Sequence, residues 1–230
     1  RNPDPTNPEQ ELDELNLVTT YSLNDAYNVN VGVLKNLDVG DKSVEANIGY
    51  ERSPQEFHGI GEDAVDSTLA RYASTNIAFR VGVPVKVFDH LYASPQYDFL
   101  RQDVDHVESD EGAAIAPPPG VARSLSSGIG MTLTYKTTNP GLYKRRGFVL
   151  SVSSTRYATW LGSTSTFEAA SASGRLYVPV TTESVLAFQL RLETASGDVP
   201  LAFLPTLGGH RLLRGFGSSR HIGRHCLAGQ

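Results

Sequence analysis

The sequence predicts an all-β fold, an antiparallel transmembrane β-barrel, and three observations support this prediction. Apolar and polar side chains alternate in runs such as Tyr27–Val33 and Leu186–Leu192, which is the period of a strand with two unlike faces. The runs recur every ~23 residues, a longer spacing than the roughly 8–12 residues typical of soluble sandwiches. Their polar face is rich in Gly, Ser, Thr, Asn and Gln, with isolated charges at Arg80, Arg175 and Arg191, a composition that suits a wet lumen.

About ten strands follow from these runs, joined alternately by tight turns and long connections as in membrane barrels. The strands are expected near residues 13–22, 27–37, 42–52, 67–85, 86–103, 123–138, 146–161, 166–180, 184–197 and 219–230. The long connections are expected at 53–66, 104–122 and 198–218. Aromatic side chains also recur near the strand ends, where a membrane barrel carries interfacial girdles. Examples are Tyr21, Tyr50, Tyr135 and Phe148.

Length and composition argue against several classes of protein. The 230 residues include 40% hydrophobic and 20% charged side chains, which predicts a folded chain rather than a disordered one. The formal net charge of −5 argues against a nucleic-acid partner, which usually requires a basic surface. Apolar runs are shorter than the roughly 18–20 residues of a membrane helix. Residues 1–12 form a polar segment that could be disordered, and the barrel domain is expected to span residues 13–230.

No arrangement of nucleophilic or metal-binding side chains predicts catalysis. His221 and His225, if on one strand, would lie ~13 Å apart, too far to share a metal ion. Ser218 and Ser219 lack the G-x-S-x-G turn that presents a hydrolase nucleophile. Cys226, the single cysteine, cannot form an intrachain disulfide and is expected to be a small apolar residue on a strand. The sequence therefore predicts no enzyme activity, no catalytic residues, no metal site and no cofactor.

Two alternatives stay open on the pattern alone. A soluble barrel or sandwich would also need one apolar face on each strand, although the scarcity of Lys and Glu on the polar face favours a lumen over bulk water. The acidic and then proline-rich stretch at 103–120 is interpreted as an exposed loop. A cation-binding loop is the alternative there, but the regular spacing of oxygen ligands found in calcium loops is lacking.

Four segments of the sequence resemble one family of membrane barrels. The first three are Pro54–Asp63, Trp160–Phe167 and Gly174–Pro179. The fourth has Gly208-Gly209 followed by Leu213-Arg214-Gly215-Phe216. In this order and spacing, the segments resemble the BamA/TamA-type outer-membrane assembly barrels, also called the bacterial surface antigen family, which carry a GG…LRGF…R signature. The resemblance extends over about residues 13–230.

The resemblance implies a barrel of about sixteen strands, of which about ten are present here, so the barrel is expected to be incomplete at both ends. It also implies that the signature lies on a long loop that folds back into the lumen, the connection 198–218. The expected site consists of five residues of that loop, which are Gly208, Gly209, Arg214, Gly215 and Phe216.

Elementary chemistry agrees with this expectation for the loop. Its glycines allow positive-φ turns and close packing, and Phe216 is expected to pack against the inner wall. Arg214 would bring a guanidinium into a partly desolvated lumen, where it needs a carboxylate or several carbonyl groups. The alternative is an ordinary surface arginine in a glycine-rich loop. Relatives usually carry an aspartate-rich turn where this chain has Lys136–Pro140, so the role of that turn is not carried over.

The resemblance further implies a function in the assembly of other membrane proteins. The chain would help to insert outer-membrane proteins or move substrates across the bacterial outer membrane. Its partners would be the lipid bilayer of that membrane and unfolded outer-membrane protein clients. A passive pore or surface structural barrel of the same fold is one alternative, and a soluble all-β binding protein is another.

Overall fold

The computed structural model describes residues 13–23, 25–37, 42–61, 68–109, 123–138, 146–181, 184–208 and 221–230. The strands in these ranges are β1 Glu14–Tyr21, β2 Tyr27–Leu37, β3 Lys42–Phe57, β4 Ala70–Gly82, β5 Val85–Phe88, β6 Leu91–Glu108, β7 Ser124–Lys136, β8 Gly147–Tyr157, β9 Phe167–Pro179, β10 Val185–Gly197, β11 Thr206–Leu207, β12 His221–Ile222 and β13 His225–Gly229. Short 3₁₀ turns occur at Thr159–Leu161 and Leu201–Phe203.

Eleven strands form one sheet, in the order β1-β2-β3-β4-β6-β7-β8-β9-β10-β13. The remaining member, β5, pairs with β3 and β6 beside this path. Every pairing is antiparallel, so the sheet is a meander in which most neighbours in sequence are neighbours in space. β11 and β12 form a separate small hairpin.

The predicted fold class is confirmed, and most predicted strands are found within a few residues of their expected bounds. The prediction was wrong at three places. A single strand at 86–103 is in fact β5 and β6 with a tight turn between them, where His90 takes a positive φ of 69°. The connections expected at 53–66 and 104–122 begin later, because β3 runs to Phe57 and β6 to Glu108. The last expected strand, 219–230, is divided into β12 and β13.

The apolar face of the sheet is open to its surroundings. Among the outward side chains, Phe79 is 37% exposed, Leu190 is 57% exposed and Leu15 is 74% exposed. Cross-strand register places such residues opposite one another, as in Leu192 opposite Leu227, so they form a continuous apolar surface. A face of this kind is stable in lipid and unfavourable in water. Among the described residues, no helix is both long and apolar enough to cross a membrane.

The opposite face carries the polar and buried side chains. Tyr72, Asp98, Tyr157 and Phe167 all point to this side and are at most 9% exposed. Since successive side chains alternate, Arg80 lies on the same face as Tyr72. We call this the inner face and its apolar counterpart the outer face. The strands β3, β6, β8 and β10 all end at one end of the sheet, here called the loop end.

A lysine placed on the outer face is expected to destabilise the protein much more than one placed on the inner face. Leu190→Lys would put a charge in the apolar band, at a cost of about 2–4 kcal/mol near the middle of a bilayer. Its neighbour Gln189 points inward, so Gln189→Lys is the matched control and should change stability by less than about 1 kcal/mol. Urea unfolding in lipid vesicles measures both. Equal losses in the two variants would mean that the apolar face does not meet lipid.

Candidate functional site

The inner face is partly covered by residues 198–205, the chain segment that follows β10. We call it the lumenal segment. Gly197 turns the chain with a positive φ of 93°, and a Cβ atom there would lie 2.8 Å from the carbonyl oxygen of Thr166. Asp198 then donates its backbone N–H to the same carbonyl at 3.1 Å. Pro200 precedes the 3₁₀ turn Leu201–Phe203, and its carbonyl accepts from the Phe203 N–H at 2.9 Å. This local geometry directs the segment back over the sheet.

One contact of this segment is an apolar cluster on β3 and β4. Leu201 and Leu204, which are 7% and 8% exposed, pack with inward side chains of those strands and with Ile222. The partners on the sheet are Phe57, Ala70 and Tyr72. Full burial of a leucine or isoleucine side chain contributes about 1.5–3 kcal/mol. The cluster therefore holds the segment firmly against the wall near the loop end.

A second contact is made by Phe203 with two aromatic rings of the inner face. Tyr157 and Phe167 stack with centroids 4.4 Å apart and planes 10° apart. The ring of Phe203 lies 4.7 Å from that of Tyr157 and 5.0 Å from that of Phe167, in tilted arrangements. Tilted aromatic pairs at such distances contribute about 0.5–1.5 kcal/mol beyond area burial. The turn thus bridges β8 and β9 on one side and β3 and β4 on the other.

Tyr157 can occupy its position because the residue opposite it is a glycine. Gly128 on β7 is its register partner, and a Cβ atom there would lie 2.6 Å from Cδ1 of the tyrosine ring and 2.9 Å from the carbonyl oxygen of Arg156. Both distances are too short for any side chain. Because Gly128 has no side chain, the Tyr157 ring can lie where it contacts Phe203.

Beside the aromatic cluster, Asp98 forms the centre of a polar network. Its Oδ1 accepts from Nε of Arg80. Its Oδ2 accepts from Gln96 Nε2 at 3.1 Å, Thr155 Oγ1 at 3.3 Å and the Tyr157 hydroxyl at 3.4 Å. The Asp98 side chain is 7% exposed, whereas that of Arg80 is 63% exposed. A buried carboxylate is tolerated only with such partners, and the network ties β4, β6 and β8 together.

The small hairpin β11–β12 continues from the anchored turn. Thr206 pairs with Ile222 and Leu207 with His221, and Gly223 donates its N–H to the Pro205 carbonyl at 3.1 Å. The hairpin therefore starts from the apolar cluster, of which Ile222 is a member. The residues between its two strands, 209–220, include the sequence signature.

Of the five expected site residues, the structure describes Gly208. It has a positive φ of 127°, as expected for a glycine that allows a turn. The other four, Gly209, Arg214, Gly215 and Phe216, lie outside the described residues. Their role in the lumen stays a prediction.

Next to the hairpin, an open cavity of about 820 Å³ lies beside the inner face of β9, β10 and β13. Arg175, Gln189, Leu207 and Gln230 line it, and Gln230 donates to the side-chain carbonyl of Gln189 at 3.4 Å. On the same face, Arg191 Nε donates to Glu193 Oε1 at 2.8 Å. Polar and apolar side chains therefore both line the cavity, whereas the contacts near the loop end are apolar.

The structure also places the residues considered for metal binding and redox chemistry. His221 and His225 lie on different strands, β12 and β13, so the distance expected for a single strand does not apply. His225 Nδ1 forms a 2.7 Å hydrogen bond with Thr194 Oγ1. Cys226 is 6% exposed on β13, which confirms the expected buried strand position. The predicted lack of catalytic and metal sites stays a prediction.

Sequence reasoning missed the residues that hold the lumenal segment. Leu201, Phe203 and Leu204 belong to an apolar run inside a predicted loop, Leu201-Ala-Phe-Leu204 between two prolines. An apolar run in a loop was the available signal, because loops that meet only water rarely carry one. Asp98 gave a weaker signal, because two residues that donate to its carboxylate, Thr155 and Tyr157, lie on β8, far from it in sequence.

Comparisons with known proteins agree with this geometry. The model of the Omp85 superfamily domain matches residues 6–226 of the chain. The fold is similar to the crystal structure of BamA from Haemophilus ducreyi lacking POTRA domains 1-3, with a TM-score of 0.60 and 18% sequence identity. That similarity covers 90% of this chain but 40% of the BamA chain, so this chain spans less than half of its length. No curated protein matches the sequence.

Adding a methyl group at Gly128 should displace Tyr157 and loosen the lumenal segment. We expect Gly128→Ala to lower the free energy of unfolding by about 1–3 kcal/mol, the usual cost of overpacking. Gly174→Ala is the matched control on the outer face, where the nearest atom to an added Cβ, Phe148 Cε2, is 3.8 Å away. Urea unfolding followed by tryptophan fluorescence compares the two. A Gly128 variant as stable as the control would contradict the tight contact.

Removal of the Asp98 carboxylate should cost more than removal of an exposed one. Asp98→Ala would take the carboxylate acceptor away from Arg80 Nε and from the Thr155 and Tyr157 hydroxyls, and we expect a loss on the order of 2 kcal/mol. Glu168→Ala is the control, because its pair with Arg156 at 3.2 Å is exposed on both sides and should contribute at most about 1 kcal/mol. Thermal unfolding in detergent measures the difference. Similar losses in both variants would exclude a structural role for the network.

Proposed function

The chain belongs to the Omp85 superfamily, and from this premise we propose that it forms part of a bacterial outer-membrane barrel that assists other proteins. The assistance would consist of inserting outer-membrane proteins into the membrane or moving substrates across it. The partners of the chain would be the lipid bilayer and unfolded outer-membrane protein clients. Bacterial outer-membrane localisation follows from the family.

The observation that carries the proposal is the anchored segment on the inner face. Leu201 and Leu204 pack against β3 and β4 while Phe203 packs against β8 and β9. A barrel whose hollow is crossed by its own chain is poorly suited to serve as a wide passive pore. A rigid scaffold with a covered lumen is better suited to act on proteins at its lipid surface.

The exposed outer face supports the same proposal. Its apolar side chains, such as Ile129 at 50% exposed and Leu190 at 57% exposed, need lipid to cover them. The family match favours this membrane barrel over a soluble all-β binding protein. The expected signature residues Arg214, Gly215 and Phe216, which lie in sequence between β11 and β12, remain part of the proposal.

The test is an insertion assay with the full-length protein in vesicles. A small outer-membrane barrel protein, unfolded in urea, is diluted onto vesicles with or without the protein, and its folding is followed by heat-modifiable migration on gels. We expect the protein to accelerate folding several-fold. Phe203→Ala should remove most of this acceleration, because it removes the ring contacts with Tyr157 and Phe167 that help to hold the lumenal segment. Each such ring pair contributes about 0.5–1.5 kcal/mol.

Phe188→Ala serves as the control, since Phe188 is an outer-face aromatic residue that is 51% exposed. It should retain the acceleration. If vesicles with and without the protein fold the client at the same rate, the assembly function is wrong. A large steady conductance of the same vesicles, unchanged by Phe203→Ala, would then favour the passive pore.

A further inference from the structure

Two strands of the sheet are longer than a membrane crossing requires. β3 has 16 residues and β6 has 18, whereas a tilted strand crosses the hydrocarbon core with roughly 9–11 residues. Both strands extend beyond the apolar band at the loop end. Most of their outward positions at that end are charged, namely Arg52, Glu56, Arg101, Asp103 and Asp105.

Register places the first charged row directly above the apolar band. Ile77 on β4, an outward residue that is 38% exposed, pairs with Tyr50 on one side and with Arg101 on the other. One outward step further, Thr75 pairs with Arg52 and with Asp103. Since outward positions in a strand are spaced by about 7 Å, Arg52 and Asp103 lie one such step beyond the row that contains Tyr50, Ile77 and Arg101.

Three arginines meet at this level around two carboxylates. Arg101 Nε and Arg123 Nε contact the two oxygens of Asp103 at 2.9 and 2.7 Å. Arg52 Nη1 lies 3.4 Å from Asp105 Oδ2. We call Arg52, Arg101 and Arg123 the outer arginine cluster. Arg52 and Asp105 form one pair of opposite charges, whereas Arg101 and Arg123 share the single carboxylate of Asp103, so that group of three carries one excess positive charge.

Two guanidinium groups of the cluster contact Asp103 through one nitrogen each. Arg101 and Arg123 approach it through Nε, so within the described residues their terminal nitrogens are not part of that contact. Their side chains are 42% and 69% exposed. Elsewhere on the outer face Arg156 has a carboxylate of its own, Glu168, so that pair leaves no excess charge.

We propose that the outer arginine cluster binds the phosphate groups of lipid headgroups that surround the barrel. A guanidinium group presents paired N–H donors that match phosphate oxygens, and attraction to an anionic lipid surface is strongest close to the headgroups. The two arginines that share Asp103 form the most exposed part of the site. The inference rests on the proposed membrane location of the chain and adds the class of lipid that its loop end recognises.

The experiment measures lipid retained on the full-length protein. The protein is folded into vesicles of phosphatidylcholine that contain a minor fraction of phosphatidic acid, extracted in mild detergent and examined by native mass spectrometry. Wild-type protein should retain phosphatidic acid in preference to phosphatidylcholine. The double variant R101Q/R123Q should lose this preference by about fivefold for each arginine removed.

Two further variants make the outcome specific. Arg175→Gln removes one positive charge from an exposed side chain on the inner face and should leave retention unchanged. R101K/R123K keeps the charge but not the paired donors, so it should retain an intermediate amount. Heat-modifiable migration checks that each variant is folded.

Equal retention by folded wild-type protein and R101Q/R123Q would overturn the proposal, and so would an equal loss in Arg175→Gln. If R101Q/R123Q does not fold, the single variant Arg123→Gln replaces it, because Arg123 precedes β7 and is 69% exposed. Retention is measured without any client protein. A failure of the insertion assay therefore leaves this result intact, and a failure of lipid binding leaves the insertion assay intact.

Discussion

The antiparallel register determines which face of the sheet each side chain occupies, because residues paired across neighbouring strands point to the same face. In a bilayer the backbone groups of a strand must be paired with those of other strands, because no water replaces a missing partner. A slip of one residue would turn every side chain of a strand to the wrong face. The pairings from β1 to β13 keep Val31, Ile48 and Phe79 on the same side. The apolar band and the inner face both follow from this constraint.

The inner face is shaped by small residues as much as by large ones. Gly128 makes room for Tyr157, and Ser126, the next inward residue of the same strand, is fully buried. Because bulk is low on this strand, the Leu201–Phe203 turn can lie across the sheet and reach aromatic and apolar partners on both sides of it. The Asp98 network then fixes the wall from within, since its donors come from three different strands. The inner face thus carries the polar Asp98 network along one part and is covered by apolar contacts near the loop end.

The outer face changes character along the same strands. Apolar side chains cover the middle of the outer face. Ion pairs replace them at the loop end, where β3 and β6 continue past the apolar band. The difference matters because an exposed ion pair contributes little to folding, whereas an excess of guanidinium groups at headgroup depth can recognise a lipid. The outer face therefore has two parts: an apolar band that contacts hydrocarbon and an arginine cluster that binds lipid phosphate.

The sequence by itself determined the all-β fold, most strand bounds and the assignment of apolar and polar faces. These features follow from the alternation of apolar and polar residues, which can be seen in the sequence of a single strand such as Leu186–Leu192. The sequence also carried the family signature, although four of its five site residues lie outside the described residues. It misplaced strand ends where polar residues continue a strand, as in β3 up to Phe57, because pairing rather than propensity extends such strands. Only the tertiary structure decided that Phe203 meets Tyr157 and Phe167 and that Asp98 meets Arg80. Both contacts depend on pairing between strands, and the aromatic one also depends on the space that Gly128 leaves for Tyr157, which no local pattern records.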